Sequence, residues 1–245
     1  MLLEDFAEAW IRDAGSRAPE LLPDSLARAC ASVLEVDGAG LSIISRPSLR
    51  LPIGASSPSS AAAERCQFAL GDGPCFRAHD TQSVVVASAA VFASEWALLQ
   101  REIHDHAGFR SVVCLPLGRS FAGFGVLDLY FASPSAATAF DPAGALRLAD
   151  EMSDVLLAAS PVPEGPDEDE PLDGTSWLDA PGAQRRRRVW VALGMLNFEL
   201  RMSSVDALAV LRARAFSLGC SLEDLADDMI EGRLRSEQLL PELGR

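Results

Sequence analysis

The spacing of apolar residues divides the first 160 residues into helices and strands. Apolar positions three and four apart predict amphipathic helices at residues 6–11, 22–34, 61–70, 95–107 and 141–157. Short apolar runs predict strands at residues 40–45, 49–53, 83–87, 111–117 and 123–131. Proline or glycine at residues 46–48 and 71–74 is typical of turns and breaks. Strands with helices interspersed predict an α+β domain, in which helices pack on a mixed or antiparallel sheet.

The pattern changes at residues 161–184, which are rich in proline and acidic residues. This segment has too few apolar residues to pack, so we interpret it as a linker. It separates a larger domain at residues 1–160 from a smaller one at residues 185–245.

The smaller domain is predicted to consist of three short helices. Ser203 and Ser221 each stand three residues before an aspartate. This spacing favours a helix start, because the serine oxygen accepts from an unpaired backbone N–H and the acid lies near the positive end of the helix. Gly219 predicts the end of the middle helix.

Charge is unevenly distributed along the 245 residues. The formal net charge is −14, and all 21 basic residues are arginine. Residues 185–245 hold ten arginines and nine acidic residues, so this domain is nearly neutral within an acidic chain. Its positive charge is concentrated in the four arginines at residues 185–188. Nonspecific attraction to a polyanion is therefore weak, and RNA binding would depend on a local patch.

We expect a cytoplasmic protein. The N-terminus carries acidic residues where a secretion signal has basic ones, and no apolar run approaches the roughly 18 residues of a membrane span. Five cysteines, an odd number, favour reduced thiols over a disulfide framework.

Four motifs in the first domain resemble a known family. They are Val-Asp-Gly-Ala-Gly-Leu-Ser-Ile at 36–43, Gln-Phe-Ala-Leu-Gly-Asp-Gly-Pro-Cys at 67–75, Gly-Phe-Arg-Ser-Val-Val-Cys-Leu-Pro-Leu at 108–117 and Gly-Val-Leu-Asp-Leu-Tyr at 125–130. Over residues 20–158 the chain resembles a GAF domain of the type found in actinobacterial GAF-ANTAR regulators. The resemblance implies a sensor domain that responds to a small-molecule ligand or a redox signal, or that only dimerises. It leaves any cofactor unknown.

The second domain is similar to the ANTAR domain, a three-helix RNA-binding module of transcription antiterminators. The matching segments are Ala-Leu-Gly-Met-Leu-Asn at 192–197, Ala-Leu-Ala-Val-Leu-Arg at 207–212 and Leu-Glu-Asp-Leu-Ala at 222–226. We expect small residues where the helices approach closely. The framework positions that the resemblance implies are Ala192, Gly194, Leu196, Ala207, Leu211, Ala215 and Ala226.

Together the two resemblances imply a signal-responsive regulator that binds an RNA hairpin, so that a competing terminator cannot form. Arginine suits this role because its planar fork binds phosphate and stacks on unpaired bases. An alternative role for the acidic linker is to compete with RNA for the nearby arginines at 185–188. The candidate RNA contacts are Arg185, Arg186, Arg187, Arg188, Arg201, Arg212 and Arg214.

Two alternative functions stay open, and the first rests on departures from the ANTAR pattern. The family's usual lysine is Leu193 here, and Asp227 and Asp228 would repel phosphate. These changes favour a degenerate module that dimerises or binds a protein without binding RNA. A DNA-binding role is the other alternative, because residues 215–226 faintly resemble a helix-turn-helix, but its acidic residues would face the groove.

No residue set indicates an enzyme or a metal site. Cys66, Cys75 and His79 provide three ligand types without a clear fourth, so they give only a weak zinc signal. His104 and His106 would point to different sides of a helix and cannot share an ion. Cys30, Cys114 and Cys220 lie in apolar contexts and are predicted to be core residues.

The first helix of the C-terminal domain is apolar on more than one side. Trp190, Leu193 and Asn197 follow one line, and Val189, Leu196 and Leu200 follow another. A short helix of this kind needs two surfaces to cover it. We therefore expect a homodimer in which one surface contacts a second subunit.

Overall fold

The computed structural model describes residues 1–44, 50–160 and 181–239, apart from the side chains of residues 181–183 and 186. The predicted turn at 46–48 and most of the predicted linker lie outside these residues. The chain forms two compact units that meet in sequence between Ala180 and Pro181. No helix in the described ranges is long and apolar enough to cross a membrane.

A five-stranded sheet forms the centre of the N-terminal unit. Its strands are β1 (Gly38–Ile44), β2 (Arg50–Ala55), β3 (Val85–Ala87), β4 (Ser111–Pro116) and β5 (Gly125–Phe131). Their spatial order is β2-β1-β5-β4-β3, and every neighbouring pair is antiparallel. The prediction of an α+β domain with an antiparallel sheet is therefore confirmed.

In the part of this unit that the structure describes, eight α-helices flank the sheet. They are α1 (Leu2–Ala14), α2 (Leu22–Val33), α3 (Pro58–Leu70), α4 (Pro74–Thr81), α5 (Ala89–Glu95), α6 (Ala97–Ala107), α7 (Ala136–Ala139) and α8 (Ala143–Ala158). Side chains alternate between the two faces of each strand. On β5, Leu127 and Leu129 join the core formed with α1, α2 and α8, whereas Val126 and Tyr130 join the core formed with α3 to α6.

The segment between β2 and β4 contains more helices than the sequence predicts. Gly71, with φ of 70°, ends α3, and Pro74 begins the unpredicted helix α4. Proline is well suited to the first turn of a helix, since its missing N–H would have no helical partner there. The segment predicted as one helix at 95–107 is divided at Trp96 between α5 and α6. The glycine-proline break therefore separates two helices and does not begin a long loop.

Three helices form the C-terminal unit, as predicted: α9 (Pro181–Leu200), α10 (Ser204–Leu218) and α11 (Leu222–Ile230). The predicted domain start at residue 185 falls inside α9. Ser203 accepts a hydrogen bond from the backbone N–H of Asp206 at 3.1 Å, and Ser221 accepts one from Asp224 at 3.0 Å. Gly219 ends α10 in the left-handed conformation. The predicted caps are confirmed.

Most framework positions of this unit lie in its core. The buried members are Ala192, Leu196, Ala207, Leu211, Ala215 and Ala226. Gly194 is different: it is exposed, and a β-carbon added to it would meet nothing within 4 Å. The expectation of a close helix approach at Gly194 is therefore wrong for contacts within this unit.

The two predicted apolar lines on α9 also need correction. Val189, Leu193 and Leu196 are all buried in the same unit. The large apolar residues that α9 leaves exposed are Val191 and Phe198, with 53% and 86% of their surface accessible. They lie three residues before and four residues after Gly194, and therefore on the same side of the helix. The sequence pattern identified a second surface but assigned it to the wrong residues.

Candidate functional site

The arginines at the start of α9 differ in their surroundings. Arg185 and Arg187 are exposed, and the side chain of Arg186 lies outside the described residues. Arg188 is half-buried and forms ion pairs with Asp227 of α11 and, at 3.6 Å, with Glu231. Arg188 therefore helps to hold α9 against the end of α11. Arg185 and Arg187 are more exposed than Arg188, and by exposure they are the better placed of these three side chains to contact an external phosphate.

The remaining candidate arginines lie on other segments of the unit, after the end of α9. Arg201 lies between α9 and α10, is exposed and has a positive φ of 52°. Arg212 and Arg214 are two positions apart on α10, so their side chains leave the helix in nearly opposite directions. Both are half-buried, and burial lowers the pKa of Arg212 to about 10. Arg212 still keeps its charge at neutral pH, because this pKa lies well above 7.

Asp227 and Asp228, two of the four acidic residues of α11, are paired with arginine. Besides the Arg188 pair with Asp227, Arg233 donates to Asp228 at 2.6 Å and pairs with Glu231. Asp224 remains exposed. The acidic run that argues against phosphate binding in the sequence is therefore partly cancelled by pairing within the unit.

Among the cysteine and histidine candidates, Cys75 is held by burial and His79 by polar contacts. Cys75 is completely buried, and burial raises the pKa of its thiol well above the usual value. Cys66 is half-buried. His79 Nε2 lies 3.1 Å from the main-chain oxygen of Gly123, and Nδ1 lies 3.0 Å from Asp80 Oδ1. Cys220, predicted to be a core residue, is only half-buried.

The N-terminal unit contains a second site, which the sequence analysis missed: a completely buried arginine. Arg50 begins β2, and none of its side chain is exposed. Its Nη1 donates to the main-chain oxygen of Glu64 at 2.8 Å. Its Nη2 donates to Glu64 Oε2 at 2.5 Å and to Asp128 Oδ2 at 3.2 Å. The ring of Phe76 lies over the guanidinium, 5.8 Å from centroid to Cζ. The cation is thus paired with two buried carboxyl groups, as burial of a charge requires.

Other donors hold the two carboxyl groups in place. Ser42 donates to Glu64 Oε2 at 2.6 Å, and Tyr130 donates to Glu64 Oε1 at 2.7 Å. Gln67 Nε2 donates to Asp128 Oδ2 at 2.9 Å and to the Tyr130 hydroxyl at 2.8 Å. We refer to Ser42, Arg50, Glu64, Gln67, Asp128 and Tyr130 as the buried cluster. Tyr130 is the only tyrosine in the chain, so a fluorotyrosine label reports on this cluster alone.

One cation and two carboxyl groups leave the buried cluster neutral when one carboxyl keeps its proton. Burial, followed by the negative charge of Glu64, raises the pKa of Asp128 well above its usual value. Burial alone would also raise the pKa of Glu64, but Arg50 and the donors Ser42 and Tyr130 lower it overall. Glu64 is therefore the carboxyl group that ionises more readily beside Arg50, and Asp128 is the one that holds its proton more tightly.

Two charged residues within apolar segments of the sequence point to the buried cluster once the structure is known. Asp128 interrupts the apolar strand Gly-Val-Leu-Asp-Leu-Tyr, and Glu64 follows three alanines in a small, apolar helix segment. A charged residue within a buried strand is unusual unless it is paired. The partner Arg50 is 78 positions from Asp128, and no local spacing connects the two.

Comparison with known proteins concerns the N-terminal unit. No protein-family model matches the chain, and no curated protein matches it. The GAF domain of a phosphoenolpyruvate-protein phosphotransferase from Acinetobacter is 16% identical, with a TM-score of 0.42, and the match covers 64% of this chain and 93% of that one. The N-terminal unit is similar to GAF domains. The similarity concerns the fold alone.

Two further solved structures give the same result. The GAF domain of a phosphoenolpyruvate-protein phosphotransferase from Coxiella burnetii is 12% identical, with a TM-score of 0.46, over 64% of this chain and 94% of that one. The phycocyanobilin-bound GAF domain from a cyanobacterial phytochrome is 11% identical, with a TM-score of 0.39, over 64% of this chain and 97% of that one.

The first prediction concerns the close approach of α3 to β1. A β-carbon added to Gly40 would lie 2.1 Å from Glu64 Oε1. We expect Gly40→Ala to lower the free energy of unfolding of the N-terminal unit by about 1–3 kcal/mol, because the Glu64 carboxylate must move. Urea unfolding followed by the fluorine resonance of labelled Tyr130 measures this change.

Gly144→Ala is the matched control in the same unit. Gly144 lies in α8, and its added β-carbon would meet the tips of the Leu2 and Leu34 side chains, at 3.3 and 3.7 Å. Alanine favours a helix by up to about 1 kcal/mol over glycine, so this variant is expected to be neutral or stabilising. An equal loss in both variants would contradict the steric role of Gly40.

The second prediction separates the two carboxyl groups. At neutral pH, Glu64→Gln removes the anion that pairs with Arg50 and is expected to lower the free energy of unfolding by about 3 kcal/mol or more. Asp128→Asn is expected to be neutral or stabilising, because folding raises the pKa of the Asp128 carboxyl and asparagine removes the resulting cost at a pH above the unfolded pKa.

The pH dependence provides the check. Because folding raises the pKa of Asp128, this group favours the folded state fully only at pH values below its unfolded pKa. Its contribution to the free energy of unfolding declines as pH rises toward the folded pKa. The wild type should therefore lose stability as pH rises above about 4, and Asp128→Asn should lack the part of this loss that comes from Asp128. Urea unfolding of the wild type and both variants between pH 4 and 8 measures it. Equal losses for Glu64→Gln and Asp128→Asn at pH 7 would show that both carboxyl groups are ionised.

Proposed function

We propose that this protein is a signal-responsive RNA-binding regulator that acts by transcription antitermination. In this proposal the C-terminal unit is an ANTAR module that binds a hairpin, and the N-terminal GAF-like unit is its sensor. The observation that carries the proposal is the charge arrangement of the C-terminal unit. Arg185 and Arg187 are exposed at the start of α9, while Arg188 and Arg233 pair with the acidic residues around α11.

This arrangement supports phosphate binding in two ways. The unit presents arginines at a helix surface, where the bidentate fork can reach phosphate oxygens. The carboxylates of Asp227 and Asp228 each have an arginine partner, which reduces their repulsion of a polyanion at short range. The buried framework positions support the ANTAR resemblance, since six of the seven expected residues lie in the core.

A second candidate function is a dimerisation or protein-interaction regulator that does not bind RNA. The exposed row of Val191, Gly194 and Phe198 favours it. A phenylalanine with 86% of its surface exposed has a large apolar area that a partner would cover. The row is also compatible with an RNA-binding homodimer, so the two candidates differ in RNA binding and not in assembly.

The third prediction tests RNA binding at α9. We expect Arg185→Ala/Arg187→Ala to bind RNA with two adjacent small-loop hairpins at least tenfold more weakly than the wild type, because two phosphate contacts are lost. Over a salt series, the slope of log K against log salt should also fall by about 0.7–0.9 for each lost phosphate contact. Fluorescence anisotropy of labelled RNA measures both quantities.

Arg235→Ala is the matched control. It removes one exposed arginine from the same unit that is not among the candidate RNA contacts, so its affinity should stay within a few-fold of the wild type. Arg188 is left intact in these variants because its ion pairs join α9 to α11. Absence of salt-sensitive RNA binding by the folded wild type would exclude the antitermination proposal and favour the second candidate.

The fourth prediction tests the exposed row of α9. If the protein dimerises through this row, Phe198→Ala weakens the dimer at least tenfold, because a large apolar contact is lost. Gly194→Ala should also weaken it, although alanine fits the isolated unit, where the added β-carbon meets nothing within 4 Å. Sedimentation equilibrium measures the dissociation constant. Phe124→Ala, at an exposed position in the other unit, is the control. A wild type that stays monomeric at high concentration would contradict the dimer.

A further inference from the structure

We propose that the buried cluster contains a binding site for a guanidinium cation, which Arg50 fills from within the chain. The site consists of the Glu64 carboxylate, the main-chain oxygen of Glu64, the Asp128 carboxyl group and the ring of Phe76. This site is separate from the C-terminal arginines and does not depend on the RNA-binding proposal.

The site is organised by groups other than Arg50. Ser42 and Tyr130 each donate a hydrogen bond to the Glu64 carboxylate, at 2.6 and 2.7 Å. Gln67 donates to Asp128 Oδ2 at 2.9 Å. These donors lie on β1, β5 and α3, which are regular elements of the unit. We therefore expect the acceptors to keep their positions when the arginine side chain is removed.

The geometry selects a guanidinium over other cations. Three acceptor oxygens surround the two terminal nitrogens of Arg50, at 2.5, 2.8 and 3.2 Å. A planar fork satisfies such a set better than the compact, strongly hydrated ammonium group does. The Phe76 ring adds an aromatic face at 5.8 Å, a favourable distance for a flat cation. An anion is excluded because it would meet the Glu64 carboxylate in a buried site.

Removal of the Arg50 side chain should therefore leave an empty site that binds free guanidinium. The test uses full-length Arg50→Ala protein labelled with 3-fluorotyrosine, titrated with guanidinium chloride at millimolar concentrations. Tyr130, the single labelled residue, donates its hydrogen bond to Glu64, so its fluorine resonance responds to occupancy. We expect a saturable shift of the resonance, and a rise in Tm of about 3–6 °C at ten times the dissociation constant.

Three controls accompany this titration. Sodium chloride and ammonium chloride at equal ionic strength should give no saturable shift. The wild type should not respond, because Arg50 occupies the site. Arg50→Ala/Glu64→Gln should lose the response, because the anion is gone.

Two results would overturn the proposal. One is an Arg50→Ala protein that responds to guanidinium no more than to sodium chloride. The other is an equal response in Arg50→Ala/Glu64→Gln. If Arg50→Ala is unfolded without ligand, it is refolded from urea with and without guanidinium. Recovery of the folded fluorine resonance only with guanidinium supports the site, and failure to recover counts against it, since the other donors are expected to form the site without Arg50.

Discussion

Burial of the Arg50 guanidinium is the constraint on which the architecture of the N-terminal unit depends. A cation with no exposed surface must be matched by anions and acceptors at fixed positions, or its desolvation would destabilise the fold. Those partners come from α3 and β5, and β1 passes between β2 and β5 in the sheet. Gly40 on β1 leaves room for the Glu64 side chain. Arg50 on β2 and the residues that surround it on β1, β5 and α3 therefore depend on one another, because all of the surrounding residues must accommodate this one buried cation.

Local patterns predict the elements of this protein better than they predict its polar interior. The strands at 111–117 and 123–131 follow from short apolar runs, and the caps at Ser203 and Ser221 follow from helix-end chemistry. Both signals depend on neighbours in sequence. The ion pair of Arg50 with Asp128 depends on the strand order β2-β1-β5, which no local spacing encodes. Helix α4 was missed because the Gly71 to Pro74 break favours a loop, although proline also begins helices.

In the C-terminal unit, the sequence shows which charges are present but not how they are paired. Asp227 and Asp228 suggest repulsion of phosphate when they are counted along the chain. In the folded unit, Arg188 and Arg233 are their partners, and Arg188 belongs to the same arginine run that suggests binding. The apolar pattern of α9 has a similar limit. It indicates a helix with more apolar surface than one core can cover, but only the packing shows that Val191 and Phe198 are the exposed residues.

The sheet order also determines when the N-terminal unit can be completed during synthesis. Strand β1 lies between β2 and β5, and Asp128 is 78 residues after Arg50. At typical translation rates the ribosome needs on the order of ten seconds to add those residues. During that interval a nascent hairpin of β1 and β2 carries an arginine without its Asp128 partner and a strand edge without β5. The sheet cannot be completed by adding strands in chain order, because β5 lies between β1 and β4. The final sheet forms only after residue 131 has left the ribosomal exit tunnel.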